Sequence, residues 1–137
     1  MKCELCDTPG GTVLWRDKDC RVVLVSERGY PGFCRVIWNS HVREMSDLAE
    51  EHRAHCMNIV FAVERALRRS MNPAKINLAS LGNMVAHVHW HVIPRFSDDP
   101  HFPQPPWGQR QRDVEPVRRG ADESTLARAI REELAAS

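Results

Sequence analysis

The chain has no apolar run approaching the roughly 20 residues needed to cross a bilayer, no internal repeat, and almost no net charge, +1 over 137 residues. The first absence excludes a helical membrane span. The last excludes a whole-chain electrostatic pull toward nucleic acid polymers, and the local arginines Arg110, Arg112, Arg118 and Arg119 read as a solvated tail. An even cysteine count is also missing: five cysteines argue against a disulfide framework. The opening Met1-Lys2-Cys3-Glu4-Leu5-Cys6-Asp7 carries an acid early and lacks the apolar stretch of an export signal. Reduced thiols and a cytoplasmic location are therefore expected. What remains is 42% apolar and 27% charged, the composition of a soluble globular protein of one domain.

Against that ordinary background stands His87-Val88-His89-Trp90-His91-Val92-Ile93, in which three of the seven histidines recur at two-residue intervals within an apolar run. Side chains of a strand alternate between its faces, so the spacing predicts His87, His89 and His91 on one face. Three neutral imidazoles buried without a task would each need hydrogen-bond partners. An imidazole titrates near neutrality, which suits proton or phosphoryl chemistry. Distance argues against one metal held by all three, since neighbours on a strand sit about 6.7 Å apart and the outer pair about 13 Å, whereas zinc needs each nitrogen within about 2.1 Å; at most one or two of them could join ligands from elsewhere.

A second pattern is Cys3-x-x-Cys6, a spacing that lets two thiolates converge on one zinc or leaves two free thiols. Thr8-Pro9-Gly10-Gly11 follows it as a turn, where a redox pair would want a helix start. Cys20, Cys34 and Cys56 lie among apolar neighbours and read as small core residues.

Strands are predicted at residues 12–15, 21–26, 33–38, 75–79 and 86–93, from β-branched and aromatic runs bounded by Gly, Pro, Asn and Asp. Leu48, Cys56, Ile59, Val60, Val63 and Leu67 recur at helical steps, giving one long amphipathic helix with Ser46 as N-cap and Asn72-Pro73 as its stop. Residues 97–120 read as extended loop and 123–135 as a second helix. The predicted class is α+β: a five-stranded antiparallel sheet with the long helix packed on it and a C-terminal helix. Residues 1–105 form the main domain, with the C-x-x-C segment at 1–8. Residues 106–137 are a tail and helix belonging to the same unit.

The motif His-φ-His-φ-His-φ-φ, with φ apolar, is matched at all seven positions from His87 to Ile93. With the approach from Asn77 to Ala86, the exit at Pro94-Arg95 and the element order, the sequence resembles the histidine-triad (HIT) family over residues 3–96. That resemblance implies a HIT-like fold, usually a homodimer, that hydrolyses or transfers nucleotides at a phosphorus bonded to a nucleoside. It makes His89 the nucleophile on the α-phosphorus, and has His91 hydrogen-bond a non-bridging oxygen or the leaving group. It places the amides near Asn83 and Met84 on phosphate, Asn77 beside the nucleotide or triad, and Ser26 near the ribose. Two positions depart from the pattern. Many relatives carry a histidine where Phe33 stands, and a Ser or Thr where Met84 stands, so one phosphate-binding hydroxyl is lost.

Some bacterial-type relatives bind zinc through residues that correspond to Cys3, Cys6, His41 and His87. That set would complete a tetrahedral structural site and leave His89 and His91 for chemistry. Trp107, in the Pro-rich tail, is a candidate to close over a base or a dimer neighbour, or to pack beneath its own loop. Two functions follow: an enzyme acting on a dinucleoside polyphosphate or nucleoside phosphoramidate through a nucleotidyl-histidine, or a non-catalytic nucleotide- or partner-binding module.

Overall fold

Alternating side chains sort the molecule into two layers and leave one sheet face for the site. The structure, a computed structural model, describes residues 2–136. Five antiparallel strands, β1 (Thr12–Arg16), β2 (Cys20–Leu24), β3 (Cys34–Trp38), β4 (Lys75–Ala79) and β5 (His89–Arg95), lie in the order β1-β2-β3-β5-β4. Helix α1 (Glu4–Asp7) precedes them, α2 (Glu50–Met71) connects β3 to β4, and α3 (Glu123–Ala135) ends the chain. The α+β class and the five-stranded antiparallel sheet agree with the sequence expectation.

On one face Val22, Cys34, Val36 and Val92 pack against Cys56, Ile59, Val60, Val63 and Leu67 of α2 and against Leu126 and Ile130 of α3, all essentially inaccessible to water. Each fully buried aliphatic side chain contributes about 1.5–3 kcal/mol, which makes this layer the main source of stability. Cys20, Cys34 and Cys56 are all in it, as the sequence implied. No described helix is long and apolar enough to cross a membrane.

The opposite sheet face is covered in two separate places. Leu5 of α1 packs on Val23 and Ile37, while Tyr30 and Phe33 pack on Ile93. Arg21 ties down the first cover: its guanidinium donates to the carbonyls of Leu5, Thr8 and Pro9 and to Asn39 Oδ1. The histidines lie in the gap between the two covers.

Three local expectations are corrected. Ser46 does not cap the long helix. Residues Met45–Asp47 form a short 3-10 turn, and Leu48 is extended so that its side chain drops into the core before α2 begins at Glu50. Strand β5 starts at His89, because His87 N–H turns back onto the Val85 carbonyl at 2.9 Å in a three-residue turn that breaks the alternation. The tail is a solvated arginine run only in part: Arg110 and Arg119 are exposed, but Arg112 and Arg118 are not. Arg112 donates to the Asp99 and Phe102 carbonyls, and Arg118 lies 3.8 Å over the Phe96 ring while bonding Asp98.

A buried clamp fixes that tail. Arg95 donates to both carboxylate oxygens of Asp99 at 2.8 and 3.1 Å, to Asn77 Oδ1 at 2.7 Å and to the Gln104 carbonyl at 2.7 Å. Asp99 also accepts the backbone N–H groups of Phe96, His101 and Phe102. Burial raises the Asp99 carboxyl pKa, but Arg95 and these amides outweigh it and hold the group below the usual carboxylate range. Further on, α3 starts at Asp122, whose carboxylate caps Thr125 N–H at 3.1 Å.

Candidate functional site

The histidine run splits at His87. The imidazole of His87 is 1% exposed and points away from the other two histidines of the triad, toward the N-terminal segment. Its Nδ1 lies 3.4 Å from Cys3 Sγ, 3.5 Å from Cys6 Sγ and 3.3 Å from His41 Nδ1, and His41 Nδ1 lies 3.4 Å from Cys6 Sγ. All four donor atoms fall within 4.8 Å of one another. With metal–sulfur and metal–nitrogen bonds of about 2.3 and 2.05 Å, a regular tetrahedron has S–N edges of about 3.6 Å and N–N edges of about 3.3 Å. The observed separations match.

The tautomer argues the same way. His87 Nε2 is 2.5 Å from the Trp38 carbonyl, which can only accept, so Nε2 carries the proton and Nδ1 presents a lone pair to the cluster. A lone pair aimed at two thiol sulfurs beside a second imidazole nitrogen is the arrangement a coordinated cation would use. The donor set therefore fits a bound metal. The sequence resemblance named these same four residues.

His89 and His91 remain on the sheet face. Across the ladder, His89 pairs with Ile37, and His91 pairs with Arg35 of β3 on one side and Ala79 of β4 on the other. His89 Nδ1 donates to the His87 main-chain carbonyl at 2.6 Å, which fixes that nitrogen as a protonated one, so that in the neutral ring the lone pair is on Nε2. His89 and His91 are 7% and 6% exposed, with ring centroids 5.1 Å apart. Both line a cavity of about 340 Å³ together with Arg35, Gly82, Asn83, Met84 and Trp107.

Burial above all, with the neighbouring Arg35 guanidinium and the close His89 ring disfavouring a second positive charge, pushes the His91 imidazole down to about 4, so it is neutral at pH 7. Its Nδ1 is buried without a hydrogen-bond partner. Phe33 meets the His91 ring edge-on at 5.6 Å and Trp107 meets it at 5.2 Å, so both hold the ring's plane. Phe33 thus contributes packing at a position where many relatives carry a histidine.

The predicted site residues are not all brought together. Asn83 and Met84 are at the cavity, Met84 with 96% of its surface exposed. Asn77 instead accepts a hydrogen bond from Arg95, and Ser26 is exposed in the loop after β2; neither lines the cavity. Trp107 stands at the rim, 53% exposed. Arg35 escaped the sequence reading. Its only signal was a charge set in the β-branched and aromatic run 33–38, which reads equally well as a solvent-facing strand position.

The HIT domain profile matches residues 10–98, well over half of the chain. The chain belongs to the HIT family. Among solved HIT structures, the histidine triad protein of Bradyrhizobium japonicum superposes with a TM-score of 0.73 at 25% identity, covering 91% of each chain. A histidine triad protein of Sinorhizobium meliloti gives 0.72 at 26% identity over 91% of this chain and 90% of its own. A zinc-bound HIT family protein of Mycobacterium smegmatis shares the fold with a TM-score of 0.62 at 24% identity, covering 99% of this chain and 95% of its own. No curated protein matches the sequence. As a HIT protein the chain has a recognisable triad, split here between a cysteine–histidine cluster and a cavity.

Proposed function

We propose that this HIT protein is a nucleotide hydrolase or nucleotidyl transferase in which His89 attacks the α-phosphorus of a nucleoside phosphate derivative. One observation carries the reading: His89 Nδ1 is committed to the His87 carbonyl, so the unprotonated Nε2 belongs to a ring that lines the cavity. A neutral imidazole nitrogen attacks without prior deprotonation. The Nε2–P bond forms as the bond from phosphorus to the leaving group breaks, and the leaving group departs with the electron pair. The nucleotidyl-imidazolium keeps its Nδ1 proton on the His87 carbonyl. Water, or another acceptor, then attacks the phosphorus, releases Nε2 with its lone pair and loses a proton to solvent.

His91 is neutral at pH 7 and serves as a hydrogen-bond donor to a phosphoryl oxygen, not as a standing cation. Backbone amides around Asn83 and Met84 supply further donors, which compensates in part for the hydroxyl that Met84 lacks. Each donor aimed at developing charge supplies about 3 kcal/mol. His87 is a positioning residue: it orients His89 through its carbonyl and touches no substrate.

Cys3, Cys6, His41 and His87 hold zinc in this reading, a closed four-ligand site that supplies folding energy and no open coordination position. The zinc-bound Mycobacterium smegmatis relative supports the choice of metal. A homodimer, as the resemblance implies, is supported by β4, which leaves one edge of the sheet open. A cytoplasmic location accords with the five free thiols. The exposed side chain of Met84 favours the second function, a nucleotide-binding module without efficient turnover.

Incubation with adenosine 5′-phosphoramidate and diadenosine tetraphosphate separates the two functions. An enzyme releases AMP from at least one of them in a His89-dependent manner. A binding module gives saturable affinity without release, and that outcome rejects the catalytic mechanism.

A further inference from the structure

With one exception, each buried or half-buried arginine among the described residues donates to at least one acceptor, Arg53 to the Leu48 carbonyl and Arg118 to Asp98 while its Nε stays unpartnered. Arg21 donates to four, Arg95 to Asp99, Asn77 and Gln104, and Arg112 to two carbonyls. Arg35 is the exception. It is half-buried on β3, its Nε is shielded from solvent without a hydrogen-bond partner, and among the described residues its side chain makes no ion pair. A shielded Nε–H without an acceptor costs stability, and a ligand that pairs with the guanidinium would relieve it.

The position says which ligand. Arg35 is directly opposite His91 in the β3–β5 ladder, so the two side chains share the sheet face that carries His89, and all three line the same cavity. His91 Nδ1, the other unpartnered buried polar atom of this wall, belongs to a residue only 6% exposed. Two unsatisfied nitrogen groups converging beside a nucleophile form a receptor for oxygen anions, and a guanidinium binds phosphate through paired N–H donors. The one carboxylate on the cavity, Glu4, is exposed and forms no ion pair with Arg35. Trp107 stands at the cavity rim with its ring against His91.

We propose that Arg35 binds the phosphate beyond the one attacked by His89, and so selects substrates whose leaving group is itself a phosphate, polyphosphate or nucleotide over those that leave as an uncharged amine. The proposal rests on the hydrolase or transferase reading for its order of events, but the anion site stands on Arg35 and His91 alone. In the displacement the electron pair of the broken P–O bond passes to an oxygen of the departing phosphate, and the guanidinium neutralises the charge that collects there. An amine leaving group takes up a proton and develops no such charge, so Arg35 has nothing to offer it.

The test uses the full chain as wild type, Arg35→Leu, Arg35→Lys and His89→Ala. The ratio of kcat/KM for diadenosine tetraphosphate to that for adenosine 5′-phosphoramidate falls at least about 30-fold in Arg35→Leu and recovers partly in Arg35→Lys, which keeps the charge without the planar fork. A ratio that stays constant while both activities fall together overturns the proposal and leaves Arg35 a packing residue. Calorimetric titration with inorganic pyrophosphate supplies an arm that does not need turnover. Affinity drops at least about 10-fold in Arg35→Leu and persists in His89→Ala. If the wild type turns over neither substrate but shows this pattern, the anion site holds and only the catalytic reading fails. Pyrophosphate affinity equal in wild type and Arg35→Leu overturns the proposal whatever the activities show.

Discussion

The main-chain carbonyl of His87 accepts a 2.6 Å hydrogen bond from Nδ1 of His89, while the His87 ring belongs to the four-donor cluster with Cys3, Cys6 and His41. One residue therefore joins the proposed metal site to the orientation of the proposed nucleophile. Anything that loosens the cluster reaches His89 through a single peptide unit.

His89→Ala is expected to lower turnover by at least about a thousandfold, since the step it removes is bond formation to phosphorus. The ring faces a cavity instead of the main core, so the thermal midpoint moves by only a few degrees. Steady-state kinetics with calorimetry on the same sample checks both halves. Retained turnover sinks the covalent mechanism.

Cys3→Ser or Cys6→Ser removes one metal donor and is expected to lower the thermal midpoint by on the order of 10 °C, with loss of bound zinc. The accompanying rate loss exceeds what partial unfolding explains, because His87 no longer holds the carbonyl that aims His89. Elemental analysis of the wild type should give close to one zinc per chain. A metal-free preparation with an unchanged melting curve rejects the metal centre and leaves the cavity chemistry untouched.

The depressed His91 makes stability pH-dependent in a defined direction. Its imidazole titrates near 4 in the folded chain against about 6.5 unfolded. Between those values the unfolded state binds more protons, so stability rises with pH. Lowering the pH from 7 toward 4 thus costs this group up to about 3 kcal/mol. Cluster residues titrate in acid too, so the informative quantity is the difference between wild type and His91→Asn in urea melts at pH 7 and pH 4.5. The variant should lose less stability over that interval, and parallel losses would contradict the assignment.

Asp99→Ala leaves Arg95 charged and buried, and breaking one half of such a pair costs about 3–5 kcal/mol. The same carboxylate holds the backbone at His101 and Phe102, so residues 97–112 should become the first site of proteolysis. Limited digestion of the variant beside the wild type reads this directly, with a cut near Trp107 as the expected product.

Several features were legible before any coordinates. The apolar steps from Leu48 to Leu67 specified α2, because a 3.6-residue period buries one stripe whatever lies beneath it. Strand β4 was placed at its observed bounds, and the C-terminal helix too, because Asp122 is a strong N-cap. The start of β5 was misjudged by the same alternation rule: nothing local in Val85-Ala86-His87 announces the turn that removes His87 from the strand. Arg112 and Arg118 depart from the solvated tail that the sequence predicts because their acceptors belong to residues 96–102, at a separation that no short-range pattern encodes.

From the sequence came what depends on neighbours along the chain: the classes and approximate bounds of the elements, the core stripe of α2, and a histidine motif specific enough to indicate the family. The path of the chain in space decided the rest. Cys3 and His87, 84 positions apart, become neighbours only once α1 is seated on the sheet, and Arg35 faces His91 only through the register of β3 on β5. Which imidazole nitrogen carries the proton was likewise settled by tertiary structure, since that is fixed by the carbonyl standing opposite it and not by the residue's place in the sequence.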